Sequence, residues 1–309
     1  MRDLWTEKYR PKVVADYVFR DDGQRKQVEA WIKEGGIPHL MLSGDPGTGK
    51  TTLAKLVLNE LDVNDLDILE INASNERNIG TLRDKIINFA SSMPIGDMRY
   101  VILDEADYLN QQSTQPALRG VMESYHNNCR FILTCNYPHM IIPAIHSRCQ
   151  GFHINKLDIT EFTARVAQIC ISEGVEVDLD TLDSYVQATY PDMRKTINLV
   201  QQNIEEGKLK PPQAGDQNQV DWLVEAVALF KEGKYKEARN VICEKARPEE
   251  YVEVYRFAYR NLELWGNTRE KQEAALIIIR DAMAKESLCT DPEINIAAMF
   301  AELEITLKS

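Results

Sequence analysis

Nowhere in the 309 residues do about 18 apolar residues follow one another, the run that a membrane-spanning helix needs. The opening stretch MRDLWTEKYRPK also lacks the apolar core of a secretory signal. Cysteine is sparse and unpatterned: positions 129, 135, 149, 170, 243 and 289 form no C-x-x-C pair and no metal-ligand spacing with the five histidines. Positive charge is in deficit, with 36 Lys and Arg against 48 Asp and Glu, a formal net charge of −12. These absences predict a soluble, intracellular chain (cytoplasmic or nucleoid-associated) with reduced structural thiols and no membrane partner. They argue against a polycation that coats nucleic acid, while leaving room for a local basic stripe.

What is present is ordinary globular material, 44% hydrophobic and 27% charged, enough for about two or three domains. In the first half short apolar runs alternate with amphipathic ones. PHLMLSG (38–44), LDILEIN (66–72), RYVILDEAD (99–107), RFILTCN (130–136) and GFHIN (151–155) read as five strands. Helical patterns separate them: about 22–34, stopped by EGGIP, then about 49–61, IGTLRDKIINFASS and QSTQPALRGVMESY. The alternation predicts an α/β core with a five-stranded parallel sheet over residues 1–156. Beyond 156 the strand signal ends. Three short helical patterns over 157–207 predict a small helical domain, and the polar KLKPPQAGDQNQ (208–219) reads as a linker. Residues 220–309 read as all-helical, beginning with a hairpin that turns at EGK. No second copy follows at a fixed period, which argues against a repeat array.

The chemistry is concentrated in a few motifs. GDPGTGKT (44–51) fits the phosphate-binding pattern G-x-x-x-x-G-K-[ST] between a strand and a helix. Its glycines let backbone N–H groups close on phosphate oxygens, and the helix N-terminus adds its positive dipole end. Lys50 would reach the β- and γ-phosphates of a nucleotide, and the Thr51 hydroxyl would ligate Mg²⁺. VILDEAD ends its strand in Asp104, placed for the metal shell, and Glu105, placed to orient and deprotonate a water. Together they point to nucleoside triphosphate hydrolysis. Asn136 closes the fourth strand, within reach of the γ-phosphate or as turn chemistry. Arg194 in PDMRKTIN is either a contact to nucleotide or a solvated charge.

WTEKYRPK, GDPGTGKTT, INASNERN, ILDEAD, LTCN, SRC and DMRKTIN, in this order, resemble the AAA+ ATPase subunits of replication sliding-clamp loaders. Replication factor C small subunits and the T-even-phage clamp-loader large subunit are of this type. The resemblance implies an AAA+ core, a helical lid and a C-terminal helical collar that assembles subunits. It implies an ATP hydrolase, stimulated by DNA and clamp, that opens a sliding clamp and loads it onto primer–template DNA as part of a pentamer. Glu7, Lys8, Tyr9, Arg10 and Val18 correspond to the adenine side, and Gly47, Thr48, Gly49, Lys50, Thr51 and Thr52 to the phosphates. Thr51 and Asp104 correspond to the metal site and Glu105 to the water. Asn136 and Arg194 match the two sensors, Asn72 a polar switch on the catalytic glutamate, and Arg148 an arginine finger acting in trans.

Asp45, Asn75 and Pro191 depart from the family's usual residues, and the zinc module of bacterial loaders is absent. Arg83, Lys85 and Arg119 are the candidates for the DNA backbone, or else a solvated face. FASSMPIG (89–96) is the candidate for the clamp, or else a plain connection. Two alternatives stand beside the loader: another AAA+ DNA motor of helicase type, and a structural subunit that binds ATP with little hydrolysis.

Overall fold

The computed structural model describes residues 3–75, 79–211, 222–247 and 250–308. They form two compact units, residues up to Arg165 with Pro191–Lys195, and Val166–Tyr190 with Thr196 onward.

In the first unit the order is α1 (Trp5–Lys8), α2 (Asp22–Glu34), β1 (Leu40–Gly44), α3 (Lys50–Glu60), β2 (Ile68–Asn72), α4 (Ile79–Ser91), β3 (Arg99–Asp104), α5 (Thr114–Ser124), β4 (Cys129–Cys135), α6 (Pro143–His146) and β5 (Gln150–Ile154). The five strands form one sheet in the order β2-β3-β4-β1-β5, every pairing parallel. Alternate residues point to opposite faces. Met41, Val101, Leu103, Phe131 and Leu133 pack under α4 and α5 with Leu82, Ile86, Leu118 and Met122. Leu40, Leu42, Ile102 and Ile132 are buried on the other face. Helix α2 starts where the Asp21 carboxylate accepts the Gln24 N–H at 2.9 Å, and it stops where Gly35 takes φ +74°, as EGGIP predicts.

The strand ends differ from the sequence expectation for local reasons. Pro38 and His39 stay outside β1; proline has no N–H to give a ladder. Leu66 and Asp67 belong to a 3₁₀ turn whose Asn64 side chain accepts the Leu66 N–H. The third strand stops at Asp104 instead of running to 107. Glu105 turns left-handed (φ +55°, ψ +44°) and Ala106–Tyr108 close a 3₁₀ turn. Asn136 leaves the sheet just beyond β4.

Helix α7 (Ile159–Ser172) leads into the second unit. With α8 (Leu179–Thr189) and α9 (Met193–Gln202, whose residues up to Lys195 belong to the first unit) it makes up the three helices expected after 156. The strands do not end there, however. β6 (Ile204–Glu205) and β7 (Lys208–Leu209) form an antiparallel hairpin, so the polar stretch from 208 begins as paired strand. Glu206 (φ +50°) and Gly207 (φ +78°) supply the two positive-φ turn positions that such a hairpin needs.

The helices α10 (Trp222–Lys231), α11 (Tyr235–Lys245), α12 (Tyr251–Arg260), α13 (Arg269–Lys285) and α14 (Pro292–Lys308) complete the described chain. Gly233, at φ +76°, turns the α10–α11 hairpin at EGK. Phe230 is the centre of this packing. Its ring lies 4.9 Å from Trp265, 5.4 Å from Phe300, 5.9 Å from Tyr235 and 6.1 Å from Phe257. Among the described residues no helix is long and apolar enough to cross a membrane.

One side chain therefore ties four segments of the helical unit. Phe230→Ala is expected to cost about 3–5 kcal/mol there, as large-to-small changes at buried aromatics do. Urea unfolding followed by circular dichroism would show it as an early loss of helix, and an unchanged midpoint would contradict this packing centre.

Candidate active site

Four parallel strands end together on one edge. The register pairs Ser43 with Cys135, Leu103 with Leu133 and Asn72 with Asp104, so the phosphate loop after β1 opens beside the ends of β3 and β4. The loop takes the shape that its glycines permit: Gly47 at φ +74°, and Gly49 at φ +86° as the cap of α3. The Thr48 hydroxyl donates to the Asp45 carbonyl at 2.9 Å. Buried Tyr17 props the loop from below, donating its hydroxyl to the Thr48 carbonyl at 3.0 Å. The Lys50 ammonium is buried and donates to the carbonyls of Gly44 (2.9 Å) and Asp45 (2.8 Å). Burial holds its pKa below the ordinary lysine value, against the pull of nearby acids.

The acids converge on the same point. Asp104 Oδ1 accepts the Thr51 hydroxyl at 2.6 Å and the Thr134 hydroxyl at 2.5 Å. Thr134 in turn accepts the Glu105 N–H at 3.1 Å, which fixes the left-handed turn of Glu105. Asp107 is buried, and its Oδ2 accepts the N–H groups of Asn136 (3.1 Å) and Tyr137 (3.0 Å). Cys135 lies among these groups with its pKa pushed up to about 12 by burial, so it stays a neutral thiol. Thr52 follows on α3, half-buried.

Other expected residues lie around this centre. The Asn72 Oδ1 accepts the Ser74 N–H (2.9 Å) and hydroxyl (2.6 Å), so the side chain closes its own turn. Asn75 donates its N–H to the Asn72 carbonyl in the same turn. Asp192, next to buried Pro191, caps the first turn of α9 by accepting the Lys195 N–H at 2.9 Å. A Cβ added to Gly47 would meet the Asp192 carboxylate at 1.8 Å. Arg194 is exposed two residues on. At the amino end, Arg10 pairs with Glu7 at 2.7 Å, Lys8 lies 5.3 Å from the Tyr9 ring centre, and Arg165 donates to the Tyr9 carbonyl. Val18 is half-buried beside Tyr17.

Arg148 stands elsewhere. It precedes β5, whose first residue pairs with Leu40, at the amino edge of the sheet. Four residues of strand, about 13 Å at ~3.3 Å per residue, separate that level from Gly44 and the phosphate loop. Its guanidinium bonds to the Ala144 carbonyl and to Glu123. Arg83 and Lys85 are exposed on α4 and Arg119 on α5, where the Arg119 Nε lies 3.9 Å from Glu123. In the segment 89–96, the Asp67 carboxylate accepts the N–H groups of Ile95 and Gly96, and Arg99 donates to the Met93 carbonyl. Met93 and Ile95 are left exposed.

The profile of the ATPase family associated with various cellular activities (AAA) matches residues 40–156. The replication factor C small subunit of Picrophilus torridus is 35% identical over 250 residues, 78% of this chain and 78% of that one. That of Archaeoglobus fulgidus is 34% identical over 275 residues, 88% and 76% of the two chains. That of Methanocella arvoryzae is 38% identical over 203 residues, 64% of this chain and 62% of its own length. The chain belongs to the replication factor C small-subunit family. Among solved structures, the Holliday-junction branch-migration motor RuvB of Thermotoga maritima superposes with a TM-score of 0.56 at 16% identity. It covers 76% of this chain and 80% of its own, and the likeness carries the fold alone.

As a member of the replication factor C small-subunit and AAA ATPase families, the protein has a site whose groups fit a magnesium nucleotide. Left-handed glycines, a buried ammonium and a helix N-terminus form an anion seat. No cluster of three or more His, Cys, Asp or Glu side chains suited to a metal occurs among the described residues. Thr51 and Asp104, already in contact, are side chains that could hold Mg²⁺ together with phosphate oxygens, as this cation prefers. Tyr17, Asp107 and Thr134 went unread in the sequence. The last acid of DEAD was the one available signal, since a Tyr and a Thr of ordinary kind carry none.

Gly47→Ala tests the seat. It strains a positive-φ position, at roughly 1–2 kcal/mol, and presses on Asp192. Affinity for a fluorescent ATP analogue should fall about tenfold or more, and Asp192→Ala in the same chain should recover part of the loss. Unchanged affinity in Gly47→Ala would mean that nucleotide does not approach this loop.

Proposed function

We propose that the protein is an ATP-hydrolysing subunit of a replication clamp loader, which opens a sliding clamp and releases it on primer–template DNA. The observation that carries the reading is the meeting of Thr51, Asp104, Thr134 and the backbone of Glu105 beside the phosphate loop, in a chain of this family. Lys50 would leave the Gly44 and Asp45 carbonyls for the β- and γ-phosphates. Glu105 would hold the attacking water and take its proton. Asn136, whose backbone is fixed by Asp107, would contact the γ-phosphate or that water, and Arg194 would touch the nucleotide from α9. Magnesium, when bound, would neutralise charge building on the phosphates.

Arg148 would serve the nucleotide of an adjoining subunit. Its position at the opposite edge from its own phosphate loop favours action across an interface. Arg83, Lys85 and Arg119 would meet the DNA backbone without reading sequence. Met93 and Ile95, on a loop fixed by Asp67 and Arg99, would face the clamp. Residues 1–156 would act as the AAA+ core, 157–207 with the paired strand β7 as the lid, the rest of 208–219 as the linker and 220–309 as the collar that joins other subunits, in a pentamer. Asn72 would restrain Glu105 until DNA binds.

Two measurements test this reading. ATP turnover should need both clamp and DNA for its full rate. Glu105→Gln should keep nucleotide binding and clamp–DNA assembly while turning over very slowly, whereas Lys50→Ala should lose productive binding. A full rate with neither clamp nor DNA would point instead to another motor, and a Glu105→Gln protein of normal rate would remove the water role.

Mixing Lys50→Ala and Arg148→Ala subunits addresses the trans assignment. The finger is worth about 10³–10⁵ in rate. Mixed assemblies, verified by native mass spectrometry, should regain ATPase that neither protein has alone. No recovery would place Arg148 outside the neighbour's reaction.

A further inference from the structure

Arg148 is held more firmly than a surface arginine needs. Its Nη1 donates to the Ala144 carbonyl at 2.5 Å and to the Ser147 hydroxyl at 3.1 Å, and its Nη2 donates to Glu123 Oε1. A guanidinium has five N–H donors. Three are committed among the described residues, which leaves two for another partner. The seat beneath is rigid as well. Buried Gln115 on α5 donates to the Met140 carbonyl at 2.9 Å and accepts the Ile142 N–H at 2.8 Å, so α5 grips the chain that enters α6. His146 bonds back to the Pro138 carbonyl at 2.8 Å, and Ile145 is fully buried. Glu123 itself stands in the last turn of α5, with the Arg119 Nε at 3.9 Å one turn earlier. Both ends of the Arg148–Glu123 bridge thus rise from fixed elements.

A half-exposed pair of this kind adds little to stability. What it does supply is one geometry for a side chain otherwise free to rotate about several bonds. We infer that Glu123 is the positioning residue for Arg148: its carboxylate fixes one arm of the guanidinium so that the remaining N–H groups meet a neighbouring subunit's nucleotide with the side chain already ordered. The inference rests on the reading of Arg148 as a residue that serves an adjoining site. Glu123 touches neither nucleotide nor water in this account and acts only through Arg148. Arg119 cannot take its place, because it carries the same charge as Arg148 and shares the same carboxylate.

The test uses the assembled loader with clamp and DNA. Glu123→Ala should lower kcat about 10- to 30-fold, the scale of the rotamer freedom of one long side chain. The KM for ATP and the thermal midpoint should not move. Glu123→Gln, which keeps an acceptor but not the charge, should fall between. In Arg148→Ala, adding Glu123→Ala should cost nothing more, because the positioned group is gone. In mixed assemblies, Glu123→Ala placed in the Lys50→Ala subunit should slow its neighbour's pocket. Additive losses in the double variant would overturn the role of Glu123 and leave that of Arg148 standing. A normal or faster rate in Glu123→Ala, with Arg148→Ala inactive, would do the same and mark the pair as structural or restraining. An Arg148→Ala loader of normal rate would instead remove the finger reading, and the Glu123 role with it.

Discussion

A single carboxylate oxygen joins the phosphate loop to the sheet. Asp104 Oδ1 takes the hydroxyl of Thr51 from the first turn of α3 and that of Thr134 from β4. Two hydroxyls on one oxygen tie α3 and β4 to the end of β3. This junction requires β3 and β4 to stay in register and α3 to start where it does. Thr134 also accepts the Glu105 N–H. That bond matters because a left-handed glutamate is strained by about 1–3 kcal/mol and persists only where its surroundings enforce it. The same turn that ends the strand therefore sets the glutamate's direction, and a shift of β4 would disturb acid, hydroxyl and glutamate together.

Much of this was legible in the sequence because it is written locally. The alternation of apolar runs gave five parallel strands, and GDPGTGKT between strand and helix marked the loop. What escaped was written at a distance. Thr134 reaches Asp104 across 30 residues and Tyr17 reaches Thr48 across 31, through residue types that by themselves say nothing. RYVILDEAD read as strand to its end because a left-handed non-glycine residue has no sequence signal of its own. The β6–β7 hairpin hid within NIEEGKLK, since glutamates before a glycine also read as the end of a helix. Nothing in QSTQPALRGVMESY sets Glu123 apart, and only the tertiary approach of α6 to α5 reveals what it faces.

The net charge of −12 raises the question of which cations are left for phosphates. Many are engaged within the chain: Lys245 with buried Glu225, Lys231 with Asp183, Arg25 with Glu161. A positive side chain already facing a carboxylate contributes less to the field around it, so acidic excess and a local phosphate site are compatible where a few cations are held for the purpose. Arg148 shows how such holding can leave capacity to spare. One carboxylate and one carbonyl fix its direction and still leave N–H groups for an incoming anion. On the proposed reading, that anion belongs to the next subunit, so the charge that completes each pocket is supplied only by assembly. On that reading hydrolysis would depend on the interface for a physical reason. The edge of the sheet that carries the phosphate loop and the edge beside Arg148 lie four strand residues apart, about 13 Å, and this separation is what favours a partner in another copy.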